Sequence, residues 1–113
     1  MPYDGFFFIV GLRRYTSSMA SFTTRVELHG ADDDDYKVLH KAMARRGFSR
    51  EIEGGKGTYH LPTAEYNLEG EHSGEEVREM AQEAVKETGK KAMVLVSEAT
   101  IRYWSGLPRV ESD

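Results

Sequence analysis

The sequence predicts one α+β domain whose elements run strand, helix, strand, strand, helix, strand. Three observations carry that expectation. Two stretches place apolar residues at helical spacing, Tyr36-Leu39-His40-Met43 and Val77-Met80-Ala81-Ala84. Residues 22–28 and the segments around Gly54-Gly55-Lys56-Gly57 alternate with a period of two. A short valine-bearing run closes the pattern after the second helix.

The first strand sets Phe22, Thr24, Val26 and Leu28 on one side and Thr23, Arg25 and Glu27 on the other. His29-Gly30-Ala31 breaks it, and residues 32–35, all aspartate, supply a cap and negative charge where a helix dipole is positive. The first helix is expected to end near Arg46, with Gly47 as its left-handed stop. Phe48 to Glu53 then pairs through the glycine turn with residues 58–68 as a hairpin. In that second arm the apolar phase moves from Tyr59 and Leu61 to Ala64, Tyr66 and Leu68. Pro62 has no N–H to donate, so a bulge or break at Pro62-Thr63 explains both the slip and the proline. Ser73 and Glu76 have capping-box spacing ahead of the second helix, which Gly89 closes. Residues 92–96 read as a central or nearly buried strand, and Tyr103, Trp104 and Leu107 as a tail packed back on the domain.

The order βαββαβ is the ferredoxin-like, split-βαβ arrangement. It predicts a four-stranded antiparallel sheet with both helices on one face and the other face open. On that open face Arg25 and Glu65 are expected to be cross-strand neighbours.

Residues 1–18 stand apart. Phe6, Phe7, Phe8, Ile9 and Val10 precede Arg13-Arg14, and Met19-Ala20 suits a second start. They read as a leader, with the domain spanning 19–113; the competing reading is an edge strand covering apolar surface. The apolar run is far shorter than the roughly 20 residues that cross a bilayer, and its arginines follow it. No membrane span or signal peptide is expected.

At 113 residues the chain has room for one hydrophobic core. The absence of cysteine excludes disulfides, thiolate zinc sites and cysteine nucleophiles, and permits a reducing cytoplasmic location. A net charge of -4 disfavours a broad nucleic-acid footprint, so any RNA contact must be local.

Several clusters invite chemistry. Arg25 with Glu65 suits phosphate positioning and proton transfer, as metal-free RNA cleavage requires; the plain reading is a surface salt bridge. Among His29, His40, His60 and His72, His40 draws attention because it lies on an apolar helical stripe, where a structural histidine is the plain alternative. The aspartates at 32–35 lack the glycine and distal glutamate of a calcium hand. Gly54-Gly55-Lys56-Gly57-Thr58 leads into a strand, not a helix, and so is a hairpin turn and not a phosphate loop. No metal or other cofactor is expected.

Thr24-Arg25-Val26-Glu27-Leu28-His29, Gly47-Phe48-Ser49-Arg50, residues 59–67 (YHLPTAEYN) and Trp104-Ser105-Gly106-Leu107 together resemble a small bacterial and phage family that includes the GhoS-type antitoxin endoribonucleases. The resemblance covers residues 22–107. It implies a ferredoxin-like fold similar to small CRISPR-associated proteins, and cleavage of a toxin's messenger RNA. No catalytic motif of the family matches position by position. On this reading Arg25, His40 and Glu65 are the catalytic candidates, and Arg45, Arg46 and Trp104 the RNA-binding ones. The alternative is a non-enzymatic binding module that dimerises through its open sheet face or an edge strand.

Overall fold

The computed structural model describes residues 20–111. The expectations for residues 1–18 lie outside the described residues. The elements are β1 (Ala20–Leu28), α1 (Asp33–Arg45), β2 (Glu51–Gly54), β3 (Gly57–His60), β4 (Glu65–Gly70), α2 (Gly74–Lys86) and β5 (Ala92–Ala99).

β1 alternates because its even residues are buried and its odd residues face outward. It is the centre of a three-stranded antiparallel sheet, β4-β1-β5, in which Arg25 lies opposite Glu65 on one side and Leu95 on the other. Phe22, Val26 and Leu28 form one core with Leu39, Ala42 and Met43 of α1, Val77, Ala81, Ala84 and Val85 of α2, and Tyr66 and Leu68 of β4. Both helices therefore cover the even-numbered face of β1.

Each helix starts on a capping box. The Asp32 carboxylate accepts from the Asp35 N–H at 3.0 Å and Asp35 accepts from the Asp32 N–H at 3.0 Å; Ser73 and Glu76 exchange the same bonds at 3.1 and 2.8 Å. Gly47 and Gly89 follow the helices at φ +94° and +72°, where a Cβ would be strained.

The four-stranded sheet expected from the sequence is not what forms. The slip at Pro62 is a complete break: the Glu65 N–H turns back to the Pro62 carbonyl at 3.1 Å and Ala64 sits at φ +75°. This separates β3 from β4, and β2 with β3 makes a two-stranded ribbon of its own. Beside β4, among the described residues, only Ser49 continues the sheet, exchanging bonds of 2.8 and 2.7 Å with Asn67. Among the described residues β5 is also an edge strand, neither central nor nearly buried. Helix packing half-buries Val94 and Val96, while Met93 and Leu95 stay 58% and 64% exposed on the open face.

The tail does pack back, but on the ribbon. The Pro108 carbonyl accepts from the His60 N–H and the Thr58 carbonyl from the Val110 N–H, both at 2.8 Å. The Trp104 ring lies 5.6 Å from that of Tyr59, over Gly54. A Cβ at Gly54 would fall 2.8 Å from the indole, so glycine is what lets the tail close there.

Thr24 is fully buried on the helix-facing side of β1, and its hydroxyl has no hydrogen-bond partner among the described residues. An unsatisfied buried hydroxyl costs roughly 1–3 kcal/mol. Thr24→Val keeps the branched shape and removes the orphan oxygen, so it should raise unfolding free energy by about 1 kcal/mol in urea denaturation.

Candidate functional site

The open face of the sheet is the first place the sequence points to. Arg25 is there, with Nη1 3.0 Å from Glu65 and Nη2 2.6 Å from Glu27. Hydrogen bonding and charge from Glu27, then Glu65, hold its pKa above the ordinary value. One guanidinium thus serves two carboxylates, with Glu69 on the same face of β4, and the local balance is negative. Such a surface repels a phosphodiester. The Arg102 Nε–H also donates to the Thr23 hydroxyl at 2.6 Å, drawing the tail across this face.

His40 is not part of that cluster. Its Nδ1 lies 2.6 Å from the hydroxyl of Tyr66, a fully buried residue on the helix-facing side of β4. Glu65 and Tyr66 are neighbours in sequence, and strand alternation sends them to opposite faces. The sheet itself therefore separates Arg25 and Glu65 from His40.

What surrounds His40 is a different constellation. A shallow groove of about 520 Å³ is lined by His40 and Lys41 of α1, Ser49 and Arg50 ahead of β2, Glu51, and His60 at the end of β3. Its walls converge because the Leu61 N–H donates to the Arg50 carbonyl at 2.8 Å and His60 lies opposite Glu51 in the ribbon. Burial, then the charge of Arg50, pushes the His40 pKa below that of a free imidazole. Burial pushes the Tyr66 phenol up, so it keeps its proton. Nδ1 is fixed by this bond, and in the tautomer whose Nδ1–H donates to the Tyr66 oxygen the lone pair of neutral His40 lies on Nε2.

This has a consequence for stability. His40 binds its proton less readily in the folded chain than in the unfolded one, so the unfolded state takes up more protons as pH falls. The His40 contribution is complete above the unfolded pKa, about 6.5, and declines as pH falls from there through the lower folded value. Urea denaturation at pH 7.5 and pH 5 should show a loss at pH 5 that is smaller in His40→Asn.

The remaining candidates sit elsewhere. Arg45 and Arg46 both pair with Glu87 beyond α2, Arg46 at 2.8 Å, and Arg46 also donates to the Ala42 carbonyl at 2.8 Å. They tie the two helices together. Trp104 is half-buried against Tyr59, in the tail-anchoring position. Sequence reasoning singled out His60 without giving it a role and passed over Lys41 and Arg50 as site residues. No short-range signal joins positions 40, 50 and 60; only the ribbon folded beside α1 does.

Fold and site together define a small α+β protein with a locally basic, two-histidine groove on an otherwise acidic chain. No helix among the described residues is long and apolar enough to cross a membrane. Comparisons with family models, curated proteins and solved structures found no match.

Proposed function

We infer that the protein is an endoribonuclease that cleaves single-stranded RNA in the His40–His60 groove. The observation that carries this reading is the lining itself: two imidazoles on different elements share one groove with the cations Lys41 and Arg50 and the carboxylate of Glu51. Transesterification of RNA needs a base, an acid and positive charge at the phosphate, and imidazole supplies the first two near neutral pH. His40, neutral and with its Nδ1–H donated to the Tyr66 oxygen, takes through Nε2 the proton of a ribose 2′-hydroxyl as that oxygen attacks the adjacent phosphorus. His60 gives a proton to the departing 5′-oxygen. Lys41 and Arg50 stabilise the charge on the pentacoordinate phosphorane. The products are a 2′,3′-cyclic phosphate and a 5′-hydroxyl, and no redox partner is required.

Two further points support the reading. The resemblance of residues 22–107 to GhoS-type antitoxins implies RNA as substrate. The element order, with Ser49 beside β4 where a fourth strand would run, suits a ferredoxin-like fold whose outer strand beside β4 has peeled away as a ribbon. Arg25 and Glu65 have no part in this chemistry.

The test uses purified full chain and an AU-rich transcript. Cleavage should leave cyclic phosphate ends, and a single 2′-deoxy substitution at the cut position should abolish it there. Cleavage of the deoxy substrate, or products with 3′-hydroxyl ends, would rule the mechanism out.

A further inference from the structure

Among the described residues β5 forms one edge of the sheet, and its register with β1 determines which of its backbone groups face outward. The Lys91 carbonyl accepts from the His29 N–H at 2.8 Å, while on the far side of β1 the Val26 N–H donates to the Ala64 carbonyl at 2.9 Å. In an antiparallel ladder a residue's N–H and C=O point the same way and alternate along the strand. The odd residues of β5 therefore address β1, and Ala92, Val94 and Val96 turn their N–H and C=O groups away from the sheet. Residues 92–97 contain neither charge nor proline, the usual devices that blunt an edge. Met93 and Leu95 lie exposed on the same strand.

We propose that this edge pairs with the same edge of a second copy, in an antiparallel β5–β5 junction centred on Val94. A two-fold axis normal to the sheet keeps like faces together, so only residues of equal parity can lie opposite each other. The register centred on Val94 sets Val94 against Val94 and Ala92 against Val96 in hydrogen-bonding positions. On the open face it sets Met93 against Leu95, once on each side of the axis. It also brings Lys90, whose ammonium lies 3.7 Å from Asp35, opposite Glu98 at both ends. Centring on Leu95 would instead oppose Met93 to Ser97 and Glu98 to Ala92. The strand is thus complementary to itself in hydrogen bonding, apolar surface and charge, which is why the occupant is a second copy.

Sedimentation equilibrium of the full chain, with amide exchange followed at Val94, tests this. A dimer is expected, with Val94 protection rising with protein concentration. Leu95→Glu, at an exposed position, and Glu98→Lys should each weaken association by about tenfold or more with an unchanged circular dichroism spectrum. Adding Lys90→Glu to Glu98→Lys should restore it. A monomer at every concentration, or a dimer indifferent to both substitutions, overturns the proposal. So does Val94 protection independent of concentration, because the edge is then covered from within the same chain.

Discussion

Replacing His40 with asparagine is expected to slow RNA cleavage by roughly 10²–10⁴-fold, the usual contribution of a positioned acid or base. Asparagine preserves a polar partner for the Tyr66 hydroxyl, so the loss should appear in kcat with RNA binding little changed. His60→Asn should give a loss of similar size. The double variant should be far less impaired than the product of the two, because acid and base act in one step. The acidic limb of the pH–rate profile reports His40 in its deprotonated role. It should lie on the acid side of an ordinary imidazole, since burial and Arg50 both disfavour the charged ring. Arg25→Ala and Glu65→Ala act as internal controls: both residues lie across the sheet from the groove, and their loss should leave cleavage intact. Activity of His40→Asn within twofold of the natural chain would remove the base from the mechanism, and with it the reading of the groove.

Tyr66→Ala is expected to cost about 3–5 kcal/mol of stability, the range for deleting a large buried ring. Tyr66 is fully buried, meets the Phe48 ring edge-on at 6.4 Å, and bonds His40 through its hydroxyl. It therefore joins β4, α1 and the segment leading into β2. Against a typical total of about 5–15 kcal/mol, such a loss leaves the chain marginal. Tyr66→Phe keeps the ring and removes only the hydroxyl. It should cost about 1 kcal/mol, because half-buried His40 can turn to water for a partner. Urea denaturation separates the two cases. A cost below about 1 kcal/mol for the alanine variant would mean that the ring is not part of the core.

Much of this molecule was legible from local rules. The Ser73–Glu76 spacing announced α2, and the alternation from Phe22 to Leu28 announced both the strand and which side of it is buried. Even the pairing of Arg25 with Glu65 followed once Pro62 was read as an interruption. The site was less accessible, because its members are linked by neither spacing nor a shared element. Lys41 reads as a solvated helix residue, Arg50 as the outward side of a strand, and His60 as an isolated histidine.

The division has a physical cause. Helix and strand periodicity, capping and turn chemistry act over a few residues, so the sequence by itself determined both helices, β1 and its buried face, and the place of the interruption at Pro62. What only the tertiary structure decided depends on backbone hydrogen bonds between distant segments. Once Ala64 adopts its left-handed conformation, the second arm breaks and β2–β3 leaves the sheet as a ribbon closed by Pro108 and Val110. That departure places His60 and Arg50 beside His40, and the sheet then keeps all three away from Arg25 and Glu65.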